Sequence, residues 1–116
     1  MLTNNTTKTY KISANLIPVD EEIIKVYMQG AVYAFCNTNK GEAFSVRILF
    51  GGDNRDWNGT PMQKIYDYYI KNGKSYDDAA ENAAVDAGRL LKAVLERDSR
   101  EFEIVGKNTG TLYKLV

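Results

Sequence analysis

The stretch from Ala87 to Val116, AGRLLKAVLERDSREFEIVGKNTGTLYKLV, decides the fold class. Its first half is helical: Leu90, Leu91, Val94 and Leu95 recur three and four residues apart and fall on one face. Its second half is a hairpin. Phe102 to Val105 and Thr111 to Val116 are short runs rich in strand-forming residues, and the GKNTG between them supplies glycines for the turn. The helix begins upstream at Ser75, with Asp77 and Asp78 in its first turn, where the positive end of the helix dipole favours carboxylates. It is predicted over 75–96, with an apolar stripe through Ala80, Ala84, Ala87, Leu91 and Val94. The small residues of its first half, Ala79 to Gly88, admit close approach by a neighbour.

Further back, Thr60-Pro61-Met62-Gln63 combines a capping box with proline at a first helical position. It predicts a helix over 60–72 with a stripe of Met62, Ile65, Tyr66, Tyr69 and Ile70, stopped by Gly73. Asp20 reads as the cap of another helix, over 20–36, carrying Ile24, Tyr27, Met28, Ala31 and Phe35 at helical spacing. Gly30 inside it costs about 0.5–1 kcal/mol against alanine, which predicts a close packing contact there. Tyr10 to Leu16 alternates apolar and polar residues, the pattern of a half-buried strand, and Pro18 ends it. Asn37 to Glu42 reads as a turn, whereas residues 43–50 fit either a short strand or one helical turn opened by Ser45. The expected architecture is one α+β domain spanning 1–116: an N-terminal strand, three main helices and a C-terminal β-hairpin, with residues 1–8 flexible.

Composition narrows the class. A chain of 116 residues, 44% hydrophobic and 26% charged, has the makings of an ordinary globular core. Fifteen basic residues balance fifteen acidic ones, so no global field draws the protein to nucleic acid or to an anionic membrane. No apolar run approaches the roughly 18 residues of a membrane span, and the start is polar, so the expected location is the cytoplasm and no membrane partner is expected. The lone Cys36 cannot form an internal disulfide, which fits a reducing compartment and strips meaning from the glycosylation sequons at Asn4, Asn5 and Asn58.

The chain has no histidine, which removes the usual nucleophile–base pairs and imidazole metal sites together. Gly51 and Gly52 lack the context of a phosphate loop. Asp53 and Asp56 share a loop with Arg55 and Trp57, an arrangement open to carboxylate chemistry but also that of a solvated turn. Asn54, Asp56, Asn58 and Gly59 match the start of a calcium loop, but position twelve is Ile65, where a bidentate glutamate is needed. No catalytic residue, metal or cofactor is therefore expected, and the chain is read as not an enzyme. Aromatic residues offer another role. Tyr27, Tyr66 and Tyr69 lie on apolar stripes and read as core, while Tyr33, Tyr68 and Tyr76 fall off them. Together with Trp57, which reads as a core plug or a binding platform, these three make a candidate protein interface.

The helix and hairpin of Ala87–Val116 resemble the reader helix and wing of a winged helix-turn-helix, with helix 20–36 and the turn at 45–50 as the preceding helices. That resemblance implies a transcriptional regulator touching DNA through Arg89, Lys92, Arg97, Arg100 and Lys107. Charge opposes it: from Asp77 to Glu96 five acids (Asp77, Asp78, Glu81, Asp86 and Glu96) face two bases (Arg89 and Lys92). The run FGGDNRDWNGTPMQKIYDYY, Phe50 to Tyr69, and the helix and hairpin after it resemble small bacterial proteins carried in mobile gene cassettes, which implies a compact accessory protein. The first expectation is thus an accessory or adaptor domain acting through protein contacts and self-associating as a homo-oligomer. The alternative is a DNA-binding regulator.

Overall fold

The computed structural model describes residues 1–4, 10–51, 57–107 and 110–116. Its elements run α1 (Pro18–Thr38), α2 (Val46–Phe50), α3 (Gln63–Lys71), α4 (Tyr76–Arg97), β1 (Phe102–Lys107) and β2 (Thr111–Leu115), an α+β fold. The longest helix is its axis. Ser75 caps α4, its Oγ accepting the Asp78 N–H at 3.2 Å, and nine residues of the helix are buried, from Ala79 to Leu95. α1, α2 and α3 all pack on it. Ala79, Ala83 and Ala87 are fully buried, so the small-residue stretch does serve close packing; Gly88 does not, since a Cβ built there meets nothing within 4 Å.

β1 and β2 pair antiparallel, with Phe102 opposite Leu115 and Ile104 opposite Tyr113; a bulge at Val105 then shifts the register so that Gly106 faces Leu112. Each edge gains a single bridge. Leu2 lies parallel to Phe102, with Thr3 N–H to Phe102 O and Phe102 N–H to Met1 O both 2.8 Å, and Phe44 pairs antiparallel with Tyr113 at the same distances. Asn4 extends the first edge with its side chain, Oδ1 accepting Ile104 N–H at 2.8 Å and Nδ2 donating to Ile104 O at 3.0 Å. Residues 1–4 thus hydrogen-bond along β1, and the rest of the 1–8 expectation falls outside the described residues. The bridges also bring the Phe44 ring to 6.1 Å from that of Phe102 and 6.0 Å from that of Tyr113, centre to centre, within a contiguous core.

The strand expected over 10–16 is not formed. Its alternation is real, since Ile12 and Ala14 are buried between exposed Lys11, Ser13 and Asn15, but the segment has no ladder. Its backbone instead donates to a side chain: the buried Asp86 carboxylate on α4 accepts the N–H of Ser13 at 2.9 Å and of Ala14 at 3.1 Å. The Tyr69 hydroxyl donates to the same carboxylate at 2.5 Å, which joins α3 to the arrangement. Burial, then this bond, pushes the Tyr69 hydroxyl well above the usual tyrosine range.

Two helix starts also differ from expectation. α1 opens at Pro18, whose fixed φ suits the first helical position, so Ile17 is the N-cap and Asp20 sits in the first turn instead of capping. α3 opens at Gln63. Thr60 does not cap it, because its hydroxyl donates to Trp57 O at 2.8 Å, and residues 60–65 form a tighter i→i+3 turn. Gln63 donates forward to Asp67 rather than back; Gly73, at φ +88°, does stop α3. Residues 43–50 combine both readings: Phe44 bridges β2, then Ser45 caps α2 by accepting Ile48 N–H at 3.2 Å.

Candidate protein-interaction surface

α1 carries apolar residues on two opposite lines. Ile24, Met28, Val32 and Cys36, spaced by four, are buried against the core. On the far side Val19, Ile23, Val26, Gly30 and Tyr33 follow one another at intervals of four, three, four and three, the spacing of a helix–helix seam. Val19 (59%), Ile23 (48%), Val26 (61%) and Tyr33 (51%) keep about half or more of their surface open. Tyr27 and Ala34 flank the line and are also exposed. Between Val19 and Ala34 the exposed positions hold a single charge, Glu22, and Arg97 holds that carboxylate by two hydrogen bonds of 3.0 and 3.2 Å. The Arg97 hydrogen bonds bring the Glu22 carboxyl below its usual range. A surface helix ordinarily turns a polar face to water; this one turns an apolar face both ways.

The C-terminal end of this face opens into a groove of about 680 Å³ lined by Tyr33, Ala34, Asn37, Lys40, Arg100 and Leu115 among others. The Arg100 guanidinium lies 3.9 Å from the centre of the Tyr33 ring. It is fixed from behind by Asp98, whose buried carboxylate accepts Arg100 N–H, Nε and Nη2 at 2.9, 3.1 and 2.7 Å and Gln29 Nε2 at 2.8 Å. Cys36 walls the groove with a thiol pushed up by burial, which keeps it protonated and a poor nucleophile.

Burial alone would raise the Asp98 pKa, but the hydrogen bonds from Arg100 and Gln29 outweigh it and hold the carboxyl at about 2. A depressed folded-state pKa stabilises the fold fully above the unfolded value near 4 and is lost as pH falls toward 2. The expected contribution is about 2 kcal/mol. Urea midpoints measured from pH 7 to pH 2 check it: Asp98→Asn starts less stable and loses less than wild type between pH 4 and pH 2.

Of the aromatic residues expected at an interface, Tyr33 is on this face and the others are elsewhere. Trp57 is 1% exposed and belongs to the core, so the plug reading holds and the platform reading does not. Tyr68 is half-buried, edge-on to Tyr69 at 5.1 Å. Tyr76 is 72% exposed but opens α4, while Arg100 and Tyr33 lie just past its other end. A helix of 22 residues separates them, about 33 Å. The four do not make one patch.

The basic residues of the DNA reading are spread similarly. Arg89 donates to Lys11 O at 3.2 Å and Lys92 lies over the Tyr10 ring, 5.6 Å from its centre. Arg97 is paired with Glu22 and Arg100 with Asp98, and Lys107 ends β1. α4 itself packs as the central helix, and its exposed first turns present Asp77, Asp78 and Glu81. Asp53, Asn54, Arg55 and Asp56 lie outside the described residues. Among the described residues no three acidic or thiol side chains gather to hold a metal ion, and no helix is long and apolar enough to cross a membrane. Comparison with family models, curated proteins and solved structures finds no match.

Val19, Ile23 and Val26 were the residues sequence reasoning passed over. The signal was present in their four–three spacing, but the stripe of Ile24, Tyr27, Met28, Ala31 and Phe35 was the pattern read on this helix. Val32 and Cys36, not Tyr27 and Ala31, complete that stripe. Gly30 is exposed, with nothing within 4 Å of a built Cβ, so the packing contact expected there is not made within the chain.

Proposed function

We propose that this chain is a non-enzymatic accessory or adaptor domain that acts through protein contacts and associates with a second copy of itself through the outer face of α1. The observation that carries this reading is the apolar line Val19, Ile23, Val26 and Tyr33, left open along the length of a 21-residue helix. Each of these side chains costs free energy in water and does nothing for the core of a lone molecule. A contiguous apolar strip of this kind marks an interface. That Arg89, Lys92, Arg97 and Arg100 are each engaged by neighbouring groups supports protein over nucleic acid as the partner.

Sedimentation over a concentration series tests it. Wild type is expected to self-associate, and Val26→Glu to weaken association at least tenfold while leaving the thermal midpoint of the monomer nearly unchanged, because Val26 is 61% exposed. A wild-type chain that stays monomeric to about 1 mM, the edge of measurable affinity, overturns the reading.

A further inference from the structure

We infer that the second copy lies antiparallel along α1, about a two-fold axis beside Val26, with Ile23 of each copy seated on Gly30 of the other. This rests on the self-association proposed above and gives it a geometry.

The seam is close to symmetric about its middle. Val19 and Tyr33 stand seven residues either side of Val26, and Ile23 and Gly30 three and four residues either side. A two-fold axis at Val26 therefore sets Val19 against Tyr33, and the bulk of Ile23 against the bare backbone of Gly30. That gives the glycine a purpose. It weakens α1, it is exposed, and nothing in its own chain approaches within 4 Å of its missing Cβ. Close approach of a second helix is a use for it that the isolated molecule lacks.

Charge selects the orientation. Glu22 and Tyr33 are eleven residues apart, about three turns, and so lie along one margin of the face. Arg100 sits on Tyr33. Antiparallel pairing brings Glu22 of each copy toward Arg100 of the other and opposes the two helix dipoles. Parallel pairing, about an axis along the helices, sends the two copies of this margin to opposite sides of the seam, so Glu22 and Arg100 do not meet and the helix dipoles align.

The extents agree with a modest interface. A 21-residue helix is about 31 Å long and roughly 10 Å across, a footprint of about 300 Å² against the roughly 800 Å² per partner of a standard interface. The groove beyond Tyr33 enlarges it at both ends, where it receives Ile17 and Val19 of the other copy, 60% and 59% exposed. Assembly is then concentration-dependent, in the micromolar range or weaker.

Single-cysteine cross-linking in a Cys36→Ala background, under mild oxidation and at concentrations where the protein associates, tests the geometry; Cys36→Ala with no added cysteine is the control. Val26→Cys is expected to cross-link to itself, whereas Val19→Cys and Tyr33→Cys cross-link to each other when mixed and neither to itself. Self-cross-linking of Val19→Cys, or a dimer in which none of these pairs links, overturns the geometry and leaves self-association standing. A monomer throughout removes both. Gly30→Leu supplies a second readout: a better helix former should hold or raise the monomer's thermal midpoint while association falls at least tenfold. Unchanged association there overturns the Ile23–Gly30 contact.

Discussion

Replacing Asp86 by alanine is expected to destabilise the protein by about 3 kcal/mol, seen as a fall of about 10 °C or more in thermal midpoint for a domain of this size. The carboxylate, 1% exposed, serves three donors from two other parts of the chain: the Ser13 and Ala14 amides and the Tyr69 hydroxyl. Alanine strands all three in a place water does not reach freely, at about 1–3 kcal/mol for each buried group left unpaired, and part of that is returned because a carboxylate no longer has to be desolvated. Asp86→Asn separates acceptor from size. The two backbone amides use different carboxylate oxygens, so an amide keeps one acceptor and turns an NH₂ against the other donor. It should cost about 2 kcal/mol, and Tyr69→Phe, which removes one donor, about 1 kcal/mol. Because the groups form one network, the double variant with Tyr69→Phe should fall short of the sum. Hydrogen exchange gives the local signature: Ser13 and Ala14 amides lose protection in Asp86→Ala beyond the global loss. An Asp86→Ala cost under about 0.5 kcal/mol would sink this account.

The same carboxylate explains what could be read from the sequence and what could not. Alternation over 10–16 identified correctly which side chains go inward, because burial imposes a period of two on any extended segment. It could not say where the backbone hydrogen bonds go, and the missing ladder is replaced by an aspartate more than seventy residues away on α4. An aspartate within an apolar helical stripe was the available hint, counted only as one of the acids opposing DNA. The C-terminal helix and hairpin were legible because their signals are local: a serine cap, a leucine-rich repeat at helical spacing and glycines at the turn. Their place in the molecule was not. Which faces of α4 other elements cover is not local information, and the structure packs α1, α2 and α3 on it, with nine positions buried. For α1 the difficulty was the reverse: two apolar lines on one helix look, residue by residue, like a single broad stripe, and the structure was needed to show that only one is covered.

Trp57→Ala is expected to cost about 3–5 kcal/mol, the range for truncating a large buried aromatic, because the cavity left in a packed core is only partly filled by relaxation. The position matters beyond its volume. The Trp57 carbonyl accepts both the N–H and the hydroxyl of Thr60, at 3.0 and 2.8 Å, so the buried ring anchors the turn from which α3 starts. Trp57→Phe isolates the packing contribution. The indole Nε1 is buried with no acceptor among the described residues, so phenylalanine forfeits no hydrogen bond and loses only part of the filled volume, about 1–2 kcal/mol. Denaturation followed by far-UV circular dichroism measures all three proteins on one scale, since Trp57 is the only tryptophan and its fluorescence goes with it. A phenylalanine variant as unstable as the alanine variant would mean that the indole N–H is partnered after all. Self-association separates this core role from the platform role once open to Trp57. At temperatures where the variant remains folded, Trp57→Phe should associate as wild type does, whereas Val26→Glu, on the open face of α1, should not. A loss of association in Trp57→Phe without loss of stability would move the interface from α1 to the Trp57 loop.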